Sequence, residues 1–129
     1  MVKAINVPEE LNKLPPLSNR NPETPPEEEA AAFARLGSLG GLEMFAGSFD
    51  GQSPWERHLN GDELVQVYAG EATLTILSDV GEDVLQLSAG SLTVVPQGRW
   101  HRFHASKGVS LMTATPLPTD HSLAEDPRL

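Results

Sequence analysis

Four side chains in two short stretches carry most of the chemistry open to this sequence. In Ser53–Gly70, SPWERHLNGDELVQVYAG, Glu56 and His58 lie two apart, so on a strand both point to one face. After the turn Asn60-Gly61-Asp62, Glu63 opens the alternating run Glu63–Tyr68, and Gly70 closes it. In Gly90–Ala105, GSLTVVPQGRWHRFHA, the apolar run Leu92–Val95 stops at Pro96-Gln97-Gly98, and His101 falls on the strand that follows. Alternation sets Glu63, Val65, Val67 and Ala69 on one face, and separately His101 with Phe103. An imidazole and a carboxylate in such an apolar lining each need a partner, and a divalent metal ion satisfies both. The chain has no cysteine. Disulfides, thiolate metal sites and cysteine nucleophiles are thereby excluded, and any metal is held by nitrogen and oxygen.

The elements that position these residues follow from the punctuation of the chain. Met1–Pro26 holds six of the eleven prolines and is expected to be extended, with a short strand at Ala4–Val7. It is an arm lying across the barrel or across a partner subunit, or a disordered tail. Thr24-Pro25-Pro26-Glu27 has the pattern of a helix start, with Thr24 as cap and Glu27 completing a capping box, and predicts a helix over Pro25–Leu36. From Gly41 onward turn signals recur every several residues, which predicts an all-β sandwich or barrel. Strands are expected at Leu42–Phe49, Trp55–His58, Glu63–Ala69, Glu71–Leu77, Asp83–Leu87, Ser91–Val95, His101–His104 and Val109–Thr115, with a hairpin loop at Ser78–Glu82. Pro116–Leu129 is expected to be an irregular surface tail. The organisation is then an arm and short helix over 1–40, a β-barrel over 41–116 and a tail over 117–129.

The 129 residues suffice for one domain with a modest core, and the net charge is −9. That charge argues against nucleic acid and against an anionic membrane surface as partners. No apolar run is long enough to span a bilayer. Met1–Leu11 lacks the basic start and apolar middle of a signal peptide, so a cytoplasmic location is the default expectation.

The two stretches resemble the paired motifs of the cupins, small barrels that bracket a mononuclear metal site. His58, Glu63 and Gly70 keep the spacing of the first motif, with Glu56 standing where its first histidine would be. Gly90, Pro96, Gly98 and His101 match the second, with Ala105 in place of its asparagine. The resemblance implies an all-β fold: a cupin-type double-stranded β-helix (jelly-roll) barrel, here with an N-terminal arm and one short helix. It also implies a metal held by Glu56, His58, Glu63 and His101. Two histidines with one carboxylate suit Fe(II) with open positions, and a second carboxylate favours harder ions such as Mn(II), while Zn and Ni also fit the donor set. Glu56 is a fourth ligand, a group that supports the ligands from behind, a general base or a solvated carboxylate.

Two functions are compatible with such a site. One is a metal-dependent enzyme of oxygenase or isomerase type on a small organic molecule, with Glu56 as the catalytic proton carrier. The other is a non-catalytic cupin that binds or senses a metal or small molecule. Phe45, Phe49, Phe103 and Met112 are candidates to line the pocket, and Arg57, Arg99 and Arg102 to hold an anionic group at its rim. His104 points away from His101, and His121 in the tail carries no assigned role. Leu64 and Tyr68 leave an apolar outer face. A homodimer of the kind cupins form would cover it, and so would the arm or the helix.

Overall fold

Two long strands, β5 (Glu63–Leu77) and β8 (His101–Thr115), run antiparallel along their whole lengths and form the spine of one curled sheet. In this computed structural model, which describes residues 2–129, the remaining strands attach to these two directly or through a neighbouring strand. β7 (Leu92–Val95) pairs with the first part of β5 and β6 (Glu82–Ser88) with the second. β3 (Leu42–Gln52) pairs with β8, and β4 (Trp55–Arg57) joins it at a single bridge, Glu56 opposite His101. β3 in turn carries β2 (Phe33–Leu39) antiparallel and β1 (Leu17–Arg20) parallel. β9 (Asp120–Ser122) completes the sheet beside β4. The all-β jelly-roll expectation holds.

Where two separate strands were expected on either side of Gly70, and again between His104 and Val109, the chain instead runs through. Both long strands bend at glycines: Gly70 has φ +72° and Gly108 φ +101°. A Cβ on Gly70 would stand 2.2 Å from the Gly108 carbonyl oxygen, so only glycine admits this approach. The register shifts at this point, and the inward face passes from Glu63, Val65 and Val67 to Ala72, Leu74 and Ile76. Ala69, expected inward, is exposed. A bulge moves alternation by one residue, and period-2 reading fails across it. The inward side chains meet Phe49, Val95, Phe103 and Leu111 in the main core.

The first 40 residues depart further from expectation. Val7–Lys13 is a helix, α1, and not part of an extended arm. Asn6 caps it by accepting the Glu9 N–H at 3.0 Å, Pro8 lies in its first turn where no donor is missed, and Glu9, Glu10 and Lys13 complement its dipole. Pro15-Pro16 then ends helical structure. The second helix, α2, is confined to Pro26–Ala32, and Phe33–Leu36 belongs to β2. Phe33 leaves the helix because β3 offers it a seat: a Cβ on Gly47 would lie 2.4 Å from its ring. Thr24 does not cap α2. Its hydroxyl accepts the Asn21 N–H at 2.9 Å, and Pro25 holds the cap position without a side-chain bond. The tail is likewise not wholly irregular, since β9 lies within it.

The apolar outer face has a local cover. Leu11 of α1 packs with Ala46 and Met112, and Val7, Leu64 and Tyr68 join them. Met112 therefore lies on the side of the sheet away from the interior and does not line the pocket.

Candidate metal centre

The motif residues meet because the sheet curls: along the β5–β8 ladder Glu63 and His101 lie at opposite ends. Glu63 opens β5, His101 opens β8, and His58 follows β4, which pairs with β8 beside it. The loops are tied to each other: the Gly98 N–H donates to the His58 carbonyl at 2.9 Å, and the Gln97 N–H to the Asp62 carboxylate at 2.8 Å. All three side chains are buried, to 4 % exposure for His58, 5 % for Glu63 and 1 % for His101.

Each donor is oriented by a partner behind it. The His101 Nδ1 lies 3.1 Å from the Arg99 carbonyl, and the His58 Nδ1 3.1 Å from the Thr119 hydroxyl. The Thr115 hydroxyl donates to Glu63 Oε2 at 2.7 Å. Both Nε2 atoms then turn to the carboxylate: His58 Nε2 is 3.1 Å from Oε2, and His101 Nε2 is 3.1 Å from Oε1. Despite this closeness His58 Nε2, His101 Nε2 and Glu63 Oε1 have no properly directed hydrogen bond. A carbonyl only accepts, so a neutral His101 carries its proton on Nδ1 and aims the Nε2 lone pair at an oxygen lone pair. Such a contact in a buried site is repulsive unless a proton or a metal ion lies between the atoms.

A divalent metal ion would serve as such a cation, and the residues fit one. The three donors can be chosen within 4.8 Å of one another, and histidines fixed through Nδ1 are the usual form of a metal-ligating pair. The electrostatics agree. Burial would raise the Glu63 carboxyl, but His101 and His58 beside it outweigh burial and hold it down at about 2. Burial also opposes charge on His101, and the facing Glu63 carboxylate lifts the imidazole above its ordinary 6.5.

Glu56 is near this cluster but not part of it. Its carboxylate lines the adjoining cavity and stands 3.6 Å from the Arg20 guanidinium. The cavity measures about 490 Å³, with His58 and Glu63 in its lining. All four phenylalanines of the chain, Phe33, Phe45, Phe49 and Phe103, contribute to its walls. Thr113, Thr115 and Thr119 add hydroxyls.

The chain matches the Cupin domain family over residues 49–113, half of its length. It is a cupin. No curated protein sequence matches it. Among solved structures, a protein from Neisseria meningitidis superposes with a TM-score of 0.64 at 18 % identity, covering 89 % of this chain and 100 % of that one. A cupin-2 domain containing protein from Shewanella frigidimarina gives 0.58 at 20 % identity, over 67 % of this chain and 80 % of its own. Recombinant oxalate oxidase in complex with glycolate gives 0.61 at 19 %, over 80 % and 59 %. At these identities the likeness is one of fold.

The expected rim arginines are elsewhere. Arg57 pairs with Asp120 and lies over Trp100, Arg102 lies over Trp55, and Arg99 binds the Leu77 carbonyl and Asp83. Arg57 and Arg102 alternate with His58 and His101, so the strands turn them outward. The arginine at the pocket is Arg20, and Thr115, Thr119 and His121 line it too, none of the four being an expected site residue. Alternation along β8 from Leu111 marks Thr113 and Thr115 as inward. Nothing local marks Arg20, Thr119 or His121.

Proposed function

We propose that this cupin is a metal-dependent enzyme of oxygenase or isomerase type acting on a small, largely apolar organic molecule. The observation that carries this is a set of three buried donors without hydrogen-bond partners, two of them opening onto a phenylalanine-walled cavity. His58, Glu63 and His101 would hold the ion, which when bound supplies Lewis-acid or redox chemistry at its open positions. Iron or manganese suits two imidazoles and a carboxylate, and zinc or nickel remains within the donor chemistry.

The protein's own groups have separate duties. Glu63 stays ionised, held by the Thr115 hydroxyl, and contributes negative charge beneath the cavity. Thr119 and the Arg99 carbonyl fix the two imidazoles so that Nε2 is the free atom. The four phenylalanines exclude water from the walls and favour an apolar or aromatic body. Glu56, at the cavity wall, is the carboxylate placed to accept or return a substrate proton. A homodimer belongs to the same proposal: Leu92 and Val94 are exposed on β7 beside Leu64, and sedimentation of the full chain tests it.

Elemental analysis of protein purified without a tag or added metal tests the site. Near one equivalent of iron or manganese per chain directs a search among oxygen-dependent or enolisable substrates. Zinc or nickel at one equivalent points to non-redox chemistry or to binding alone. No metal, even after reconstitution, refutes the proposal.

A further inference from the structure

Arg20 reaches the pocket from outside the residues that carry the cupin match. β1 lies parallel to β3 with Arg20 opposite Gly51, which has φ +98°. A Cβ on Gly51 would lie 2.1 Å from the Arg20 carbonyl oxygen, so this seat exists only because the residue is glycine. The preceding Asn19 N–H donates to the Asp50 carboxylate at 2.8 Å. The Arg20 side chain, 8 % exposed, donates from Nε to Glu29 at 2.8 Å. Its guanidinium lies 4.6 Å from the Phe49 ring centre and 5.5 Å from that of Phe33. The cation is thus fixed by a carboxylate and two rings before Glu56 is considered.

Glu56 has two places to go. On one side is the Arg20 Nη2, 3.6 Å from its Oε1. On the other is His101, its direct partner across β4 and β8, whose side chain is one of the three gathered donors. Among the described residues Arg20 is the one lysine or arginine on the cavity lining, so there it alone competes with a bound cation for this carboxylate through permanent charge. We propose that Arg20 is a positioning residue that holds Glu56 off the metal. It keeps the donor set at two histidines and one carboxylate, and leaves Glu56 free to carry protons. This rests on the metal-binding reading of the site.

The test is Mn(II) binding to the metal-free full chain, followed by titration calorimetry and by the electron paramagnetic resonance of the bound ion. Arg20→Gln releases Glu56 toward the ion and tightens Mn(II) binding about tenfold, the scale of coupling between neighbouring groups, with a changed resonance spectrum. The gain vanishes in Arg20→Gln/Glu56→Gln, and Arg20→Lys, which keeps the charge, restores weaker wild-type binding. Glu29→Gln, which frees the guanidinium to turn wholly to Glu56, does not tighten binding. That variant keeps the test decisive if Arg20→Gln does not fold, because tighter binding in it overturns the proposal. Unchanged or weaker binding in a folded Arg20→Gln, with the wild type binding one equivalent, overturns the role of Arg20 while sparing the metal site. A wild type that binds no Mn(II) or other divalent ion removes the metal reading and this inference together.

Discussion

His58, Glu63 and His101 come from the stretch this chain shares with cupins, whereas Arg20, Thr119 and His121 come from the segments before and after it. The two sets differ in what they fix. The shared strands place three donors with their free atoms facing one another, a geometry set by local spacing and by the curl of the sheet, since the β5–β8 ladder itself puts Glu63 and His101 at opposite ends. The flanking segments touch those donors from behind, as Thr119 does His58, or occupy the cavity they open onto, as Arg20 does. In the proposed function, metal binding belongs to the shared part, and the choice of reaction and substrate to the flanks.

The largest expected effect lies in the shared part. His101→Ala removes one of the two histidines of the proposed ligand set, and the pocket histidine His121 lies outside that gathered set. Stoichiometric metal is expected to be lost while the β-rich circular dichroism persists. Retention of one equivalent of metal by this variant would remove His101 from the site. A smaller effect is expected from the tail. Thr119→Val leaves every donor in place but frees the His58 ring to rotate, which is expected to weaken metal binding about 10- to 100-fold. Competition against a chromogenic chelator measures it. An unchanged affinity would mean that the tail merely rests on the pocket.

The sequence made the shared part legible for the same physical reason that makes it robust. Glu56 with His58, and His101 with Phe103, stand two apart, and strands convert that spacing into a common face. The turns at Asn60–Asp62 and Pro96–Gly98 announce themselves by residue type. Legibility stopped where contact ceased to be local. Arg20 reaches the pocket through a parallel pairing of β1 with β3 about thirty residues away, and its neighbourhood reads only as proline-rich chain. The α1 helix was missed because Pro8 and Pro15-Pro16 dominate the composition, although Asn6-x-x-Glu9 carries the cap. Ala69 was misplaced by the bulge at Gly70, which no alternation count can see.

An outer-face variant sharpens the comparison from the other side. Leu11→Ala empties the centre of the small cluster between α1, Ala46 and Met112. It is expected to cost about 2 kcal/mol, at the low end for a buried leucine because α1 can settle inward. Urea denaturation measures this. Metal affinity is expected to remain at the wild-type value, since the cluster lies on the face of the sheet away from His58, Glu63 and His101. A parallel loss of affinity would show that the arm's docking and the donor geometry are one unit.

The last test uses pH to compare the site with and without its ion. In metal-free protein the Glu63 carboxyl is held down at about 2 from 4.5, so its contribution to stability is present above pH 4.5 and is lost as pH falls toward 2. The His101 imidazole is raised above 6.5, so its contribution is full below pH 6.5 and is lost as pH rises through its folded-state value. The two are one interaction seen from both partners and are counted once. Metal-free protein is thus expected to be most stable between about pH 4.5 and 6.5 and to weaken gently above it. Metal binding requires unprotonated imidazole and displaces the same proton, so affinity is expected to rise with pH over the range in which metal-free stability falls. Thermal melts of metal-free and metal-loaded protein across this range would show the two curves separating as pH increases. Parallel curves would mean that the proton on His101 and the metal ion do not compete for one position, which contradicts the facing lone pairs of His101 and Glu63.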